Sequence, residues 1–86
     1  MRVSGNSMIN AGITDGDIVI VDKSIKPVNG KIVIAVIDGE MIIRRYQRIL
    51  NKLRLLPETD HLSPIEVNEF NDCNIWGVVT YAIRSM

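Results

Sequence analysis

The sequence predicts a mainly β domain, either a small, partly closed barrel or a pair of packed sheets. Short β-branched runs recur at spacings of roughly ten residues between tight-turn signals, the rhythm of a small all-β fold. No segment of helical length carries an apolar 3.6 period. The apolar content, 47% of 86 residues, is built from Ile, Val, Leu and Met, with one Trp, one Phe and two Tyr. Such an aliphatic, β-branched core favours strands. A chain of this length makes a single domain, residues 1–86, which buries only about 60% of its unfolded surface and has a thin stability margin.

The elements follow in order. Thr14-Asp15-Gly16-Asp17 is a turn, residues 18–21 (IVIV) form a strand, and residues 26–30 (KPVNG) form a loop, because Pro and Gly both oppose regular structure. Residues 31–37 (KIVIAVI) and 40–49 (EMIIRRYQRI) flank Asp38-Gly39, a pair that favours a type I′ hairpin because both turn positions need positive φ. Asn51-Lys52 closes a second hairpin onto residues 53–56, where Pro57 ends the strand. Residues 58–72 form a surface excursion with a short strand at 65–67. Residues 74–83 (NIWGVVTYAI) form a long buried strand in which Gly77 marks a bulge or a close approach. One face of this last strand fills the core, and the other is a candidate interface.

Charge and cysteine content exclude several classes. Ten basic side chains balance ten acidic ones, so no global field draws in nucleic acid or anionic lipid. The distribution is uneven: Arg44, Arg45, Arg48, Lys52 and Arg54 precede Glu58, Asp60, Glu66, Glu69 and Asp72. The pattern reads as a solvated basic strand pair facing an acidic loop. Cys73, the single cysteine, forms no internal disulfide and anchors no metal site by itself, which fits a reducing cytoplasm. No apolar run approaches the roughly 18 residues of a membrane span, and no signal peptide is visible. The expectation is a soluble, cytoplasmic protein.

The Asp38-Gly39 turn sets the register of its hairpin. Residue 37 faces 40, 35 faces 42 and 33 faces 44, so Val33, Ala35, Ile37, Ile42, Arg44 and Tyr46 share one side of the sheet. Arg45 points the other way with Ile43 and Met41. Either side could be the core, yet one of two adjacent guanidiniums must emerge among aliphatic side chains.

Near the N-terminus, Ser4-Gly5-Asn6-Ser7-Met8 sets two serines beside a glycine. Taken in order, SGNSM, GITDGDIVIVD, NGKIVIAVIDGE, a basic pair on the next strand, LLPE and WGVV resemble the C-terminal domain of the LexA and UmuD family of self-cleaving SOS-response proteins. The resemblance runs over nearly all 86 residues. Within that family, SPI at residues 63–65 and the WGVVTYAIRSM ending look more like UmuD than the LexA repressor.

The resemblance implies a β-rich peptidase-like fold in which Ser7 is the nucleophile and a lysine on the strand after the DG hairpin is the general base. A serine hydroxyl needs a neighbour to take its proton, and a lysine does so only when burial lowers its pKa. In this chain the lysine position holds Arg44, whose guanidinium stays protonated at physiological pH and cannot accept that proton. Three accounts of Arg44 stay open: an engineered inactivation, a natural member that lost proteolysis, or replacement by Lys52 or Lys31. The last is weakest, because Lys52 sits in a turn far along the strand and Lys31 at the far end of its neighbour. His61 reads as a surface residue. The cleaved bond of the family lies in an arm upstream of the serine, of which only six residues precede Ser7, so the chain reads as a core fragment. Ala11-Gly12 resembles a family cleavage pair but reads as structural. The backbone amides around Ser7 and Met8 are, by analogy, the oxyanion donors.

By resemblance, the first functional expectation is a UmuD-type accessory protein that forms a homodimer, joins an error-prone Y-family DNA polymerase and contacts a RecA filament. Next come an active serine autopeptidase, which Arg44 opposes, and the dimerisation domain of a LexA-type or phage repressor. Last is a small nucleic-acid-binding barrel using the basic strand, for which the stacking aromatics are sparse. No cofactor, metal, membrane partner or sequence-specific nucleic-acid contact is expected.

Overall fold

The computed structural model describes residues 1–68 and 71–84. Glu69 of the acidic run and the last two residues of the WGVVTYAIRSM ending lie outside the described residues. The strands are β1 (Ile18–Asp22), β2 (Ile32–Ile37), β3 (Glu40–Ile49), β4 (Lys52–Leu56), β5 (Ile65–Val67) and β6 (Cys73–Ile83). They form one antiparallel six-stranded sheet in the order β1-β6-β2-β3-β4-β5. Among the described residues the one helical element is a 3-10 turn at Ile9–Ala11, closed by Gly12 in the left-handed conformation. Ala11-Gly12 is thus the end of a turn, as the sequence reading has it.

The β2–β3 hairpin has the predicted register, with Ile37 opposite Glu40, Ala35 opposite Ile42 and Val33 opposite Arg44. Asp38 and Gly39 take φ of 49° and 83°, the double positive that a type I′ turn demands. Asp38 also accepts hydrogen bonds from the Asp72 amide and the Asn71 side chain, which ties the turn to the start of β6.

The second hairpin corrects the sequence reading by one residue. Ile49 pairs with Lys52, so the turn is Leu50-Asn51 and Lys52 already belongs to β4. A type I′ connection needs positive φ at both positions, and here Leu50 adopts 48°, with its side chain 91% exposed, and Asn51 64°. Leucine carries no turn signal, so the pairing of the strands overrides local preference here.

One continuous sheet replaces the alternative of two packed sheets because β6 is long enough to serve both halves. Its residues 73–78 pair with β2 along one edge, and residues 78–83 pair with β1 along the other. Register shifts in both ladders bend it between those two tasks. Gly77 lies at this bend, where an added Cβ would stand 2.4 Å from Val21 Cγ1. It is the close-approach glycine the sequence suggests.

Each face of the sheet buries its own cluster. On one face the segment ahead of β1 packs Val3, Met8 and Ile13 over Val19, Ile34 and Ile43. On the other, Val33, Ala35, Tyr46, Leu53, Leu55 and Val78 come from four strands and meet in a second cluster. Burying each such aliphatic side chain contributes about 1.5–3 kcal/mol. Val78 is core, whereas Tyr81 is 71% exposed, so the last strand is buried at its centre and open at its end. Arg45 pairs with Glu58 and Arg54 with Glu66, and the basic strands face the acidic loop as expected.

Candidate active site

The turn that carries Ser7 is fixed before any distant residue touches it. Gly5 takes φ of 84° and donates its amide to Asp15 Oδ1 at 2.7 Å, while the Asp15 amide donates to Asn6 Oδ1 at 3.0 Å. These reciprocal bonds clip the SGNSM turn to the TDGD turn. Val3 and Gly16 add backbone bonds between the same two segments, and the buried Asp17 carboxylate accepts the Thr14 amide at 2.9 Å. Met8, 1% exposed, anchors the turn in the core.

Ser7 faces an open edge of β3. Tyr46 exchanges its backbone groups with Gly30 and Lys31 on the β2 side, so by strand alternation the N–H and C=O of Met41 and Ile43 point to the opposite edge. β4 joins that edge only from Arg45 onward. The Ile43 carbonyl therefore projects into a cavity of about 500 Å³ lined by residues 1–7, Ile34, residues 40–44 and Leu62. There it accepts two donors: Ser7 Oγ at 3.4 Å, a long contact, and Arg44 Nη1 at 2.7 Å.

Ser7 and Arg44 thus converge on one oxygen. Arg44 is the guanidinium that emerges among aliphatic side chains, and it stays half-buried. Its Nε is buried without a hydrogen-bond partner, an omission that costs about 1–3 kcal/mol. Burial pushes the Arg44 pKa below its ordinary value, and nearby Glu40 acts in the opposite direction. An arginine so placed is still a cation at neutral pH, able to donate and unable to act as base. The Ser7 and Met8 amides make no hydrogen bond among the described residues; Ser7 lines the cavity, whereas Met8 is buried.

The other candidates fall as the sequence sorts them. Neither Lys31 nor Lys52 lines a cavity with Ser7. His61 is exposed, although it shares with Ser7 the lining of a second cavity of about 430 Å³, beside Asn10, Thr59 and Asp60. No group of side chains able to hold a metal occurs among the described residues, and no helix there is long and apolar enough to cross a membrane.

Glu58 is the site residue that sequence reasoning missed. Its amide donates to the Ser7 carbonyl at 2.8 Å, its carbonyl accepts the Asn10 amide at 2.8 Å, and its carboxylate takes Arg45 Nε. One residue thus straps the serine turn to β3. The LLPE string singled it out, but nothing in a lone sequence says that a residue after Pro57 reaches back to Ser7. The ion pair itself is about a third exposed. Glu58→Gln is therefore expected to cost less than about 1 kcal/mol in urea unfolding, with the backbone strap kept.

Comparison with known proteins agrees with this geometry. Residues 1–80 match the family model described as Peptidase S24-like. The chain is 45% identical over 85 residues to the LexA repressor of Clostridioides difficile, covering 98% of this chain and 40% of that protein. It is 46% identical over 86 residues to the LexA repressor of Aeromonas hydrophila, covering 99% of this chain and 42% of that protein. The chain thus spans about two fifths of the curated relatives it matches. With a serine turn clipped to the sheet and the basic pair on β3 beside it, the chain belongs to the Peptidase S24-like family.

Proposed function

We propose that this chain is the dimerising C-terminal part of a cytoplasmic LexA-type repressor whose self-cleavage has been disabled. The observation that carries the reading is the pair on the Ile43 carbonyl: Ser7 is in place, and the side chain beside it is an arginine. The name LexA repressor on its relatives favours the repressor context. The UmuD-type context rests on residues 63–65 and the C-terminal strand. Capture of a Y-family polymerase, rather than operator DNA, by the full-length gene product would favour that context instead.

Dimerisation has a physical basis in the open end of β6. Ile20 faces Tyr81 across the ladder and Ile18 faces Ile83, so these side chains share one face. Ile20, Tyr81 and Ile83 are 45%, 71% and 53% exposed. An apolar face on an edge of the sheet is a liability that a second copy removes. Sedimentation of the purified chain at micromolar concentration is expected to give a dimer, and Tyr81→Asp a monomer. A monomeric wild-type chain would count against this role. The direct test of the disabled repressor is incubation of the full-length product with activated RecA. The protein is expected to stay intact and bound to its operator, and its cleavage would defeat the reading.

A further inference from the structure

We infer that the cavity where Ser7 and Arg44 meet binds the C-terminal carboxylate of a peptide lying along the open edge of β3. This goes beyond the repressor reading and stands on the site's own geometry. The edge supplies the backbone half of the contact: Met41 and Ile43 present N–H and C=O groups that no strand takes up among the described residues. An extended peptide pairs with such groups as an added strand.

Arg44 supplies the other half. Ile43 holds Nη1, while Nη2 and Nε have no partner among the described residues. Nε and Nη2 form the edge of a guanidinium that a carboxylate takes with parallel hydrogen bonds. Nε is buried at rest, so an arriving carboxylate meets Nη2 first and gains Nε as the side chain shifts. The charged side chains lining the cavity are Arg2, Arg44 and Glu40, which leaves it one positive charge in excess. The interior of a peptide brings nothing to neutralise that charge, whereas a chain end brings a carboxylate attached to the backbone that the β3 edge aligns. Ser7, which lines the cavity, offers its hydroxyl and its unbonded amide as further donors. The aliphatic walls, Ile34, Ile42 and Ile43, suit small or branched side chains next to that terminus. Substitution of the base by arginine thus turns a site built to cut a peptide bond into one that holds the acid end such a cut leaves.

The test needs three acetylated probes: Val-Ala-Val-Ala with a free carboxylate, the same peptide as a carboxamide, and Val-Ala-Val-Asp carboxamide. Each is titrated into the wild-type chain with amide chemical shifts as readout. The free acid is expected to bind at least about tenfold tighter than either amide, shifting the Ser7, Met8 and Ile43 resonances. Arg44→Gln is expected to abolish that preference, and Ser7→Ala to weaken it. Equal binding of acid and carboxamide, no binding by any probe, or a preference that survives Arg44→Gln would overturn the proposal. Equal binding of the aspartate peptide would also overturn it, by showing a site for any carboxylate. The wild-type comparison decides even if Arg44→Gln fails to fold. None of these outcomes bears on dimerisation or operator binding, so the repressor reading fails or stands separately.

Discussion

Arg44→Lys, placed in a chain that carries the family's N-terminal arm, is expected to cleave itself about 10²- to 10⁴-fold faster than the Arg44 protein, or more if serine and base act as a unit. The reason lies in side-chain length as well as basicity. A lysine Nζ falls one bond short of an arginine Nη and lies near the position of Arg44 Cζ, beside the buried Nε. Desolvation already lowers the pKa of Arg44, and it acts on a lysine there in the same direction. The neutral amine is the active form, so the rate is expected to rise with pH and level off above the depressed lysine pKa. Removing the guanidinium also removes its bond to the Ile43 carbonyl and leaves Ser7 as the nearest donor. Gel analysis across neutral to mildly alkaline pH, with Arg44→Lys/Ser7→Ala as control, reads the result. An Arg44→Lys chain that remains intact while an active relative is cut would show that position 44 is not the site of the base.

Met8→Ala is expected to destabilise the fold by about 2–5 kcal/mol. Met8 is 1% exposed and among the largest fully buried side chains of the domain, and its carbonyl accepts the amides of Ala11 and Ile13. For a domain of this size the total stability is about 5–15 kcal/mol, so the loss lowers the thermal midpoint by about 10 °C or more. The exposed Leu50 offers the contrast, with Leu50→Ala expected to change stability by no more than about 0.5 kcal/mol. Thermal and urea unfolding of the pair measure both. A Met8→Ala protein as stable as wild type would mean that the segment ahead of β1 is not a true layer of the core.

Periodicity made the strands legible, and the turn residues Asp38 and Gly39 fixed a register that placed Arg44 opposite Val33. That register gives the side of the sheet from which a side chain leaves and says nothing of edges. It could not reveal that β4 stops short at Arg45, which leaves the Ile43 carbonyl to collect Ser7 and Arg44. The turn at Leu50-Asn51 escaped because Leu50 carries no left-handed preference, and its conformation is imposed by the strands it joins. The choice between one sheet and two rested on how β6 divides itself between β1 and β2, a matter of long-range pairing. The two serines could be ranked only by resemblance, whereas in the structure both line the cavity and Ser7 is the one that donates to the Ile43 carbonyl.

The strap at Glu58 gives the serine a history in time. The clip between the SGNSM and TDGD turns is local in sequence and can close early during synthesis, but the Ser7 carbonyl finds its amide only on Glu58, beyond the β3–β4 hairpin. Domains emerge from the ribosome N-terminus first, so a nascent chain carries the serine turn closed on itself but not yet strapped to the sheet until residue 58 has left the exit tunnel and β4 has paired. The contact that ties the serine turn to the sheet is therefore completed by one of the later segments to be translated, and the geometry around Ser7 matures only near the end of synthesis of this domain.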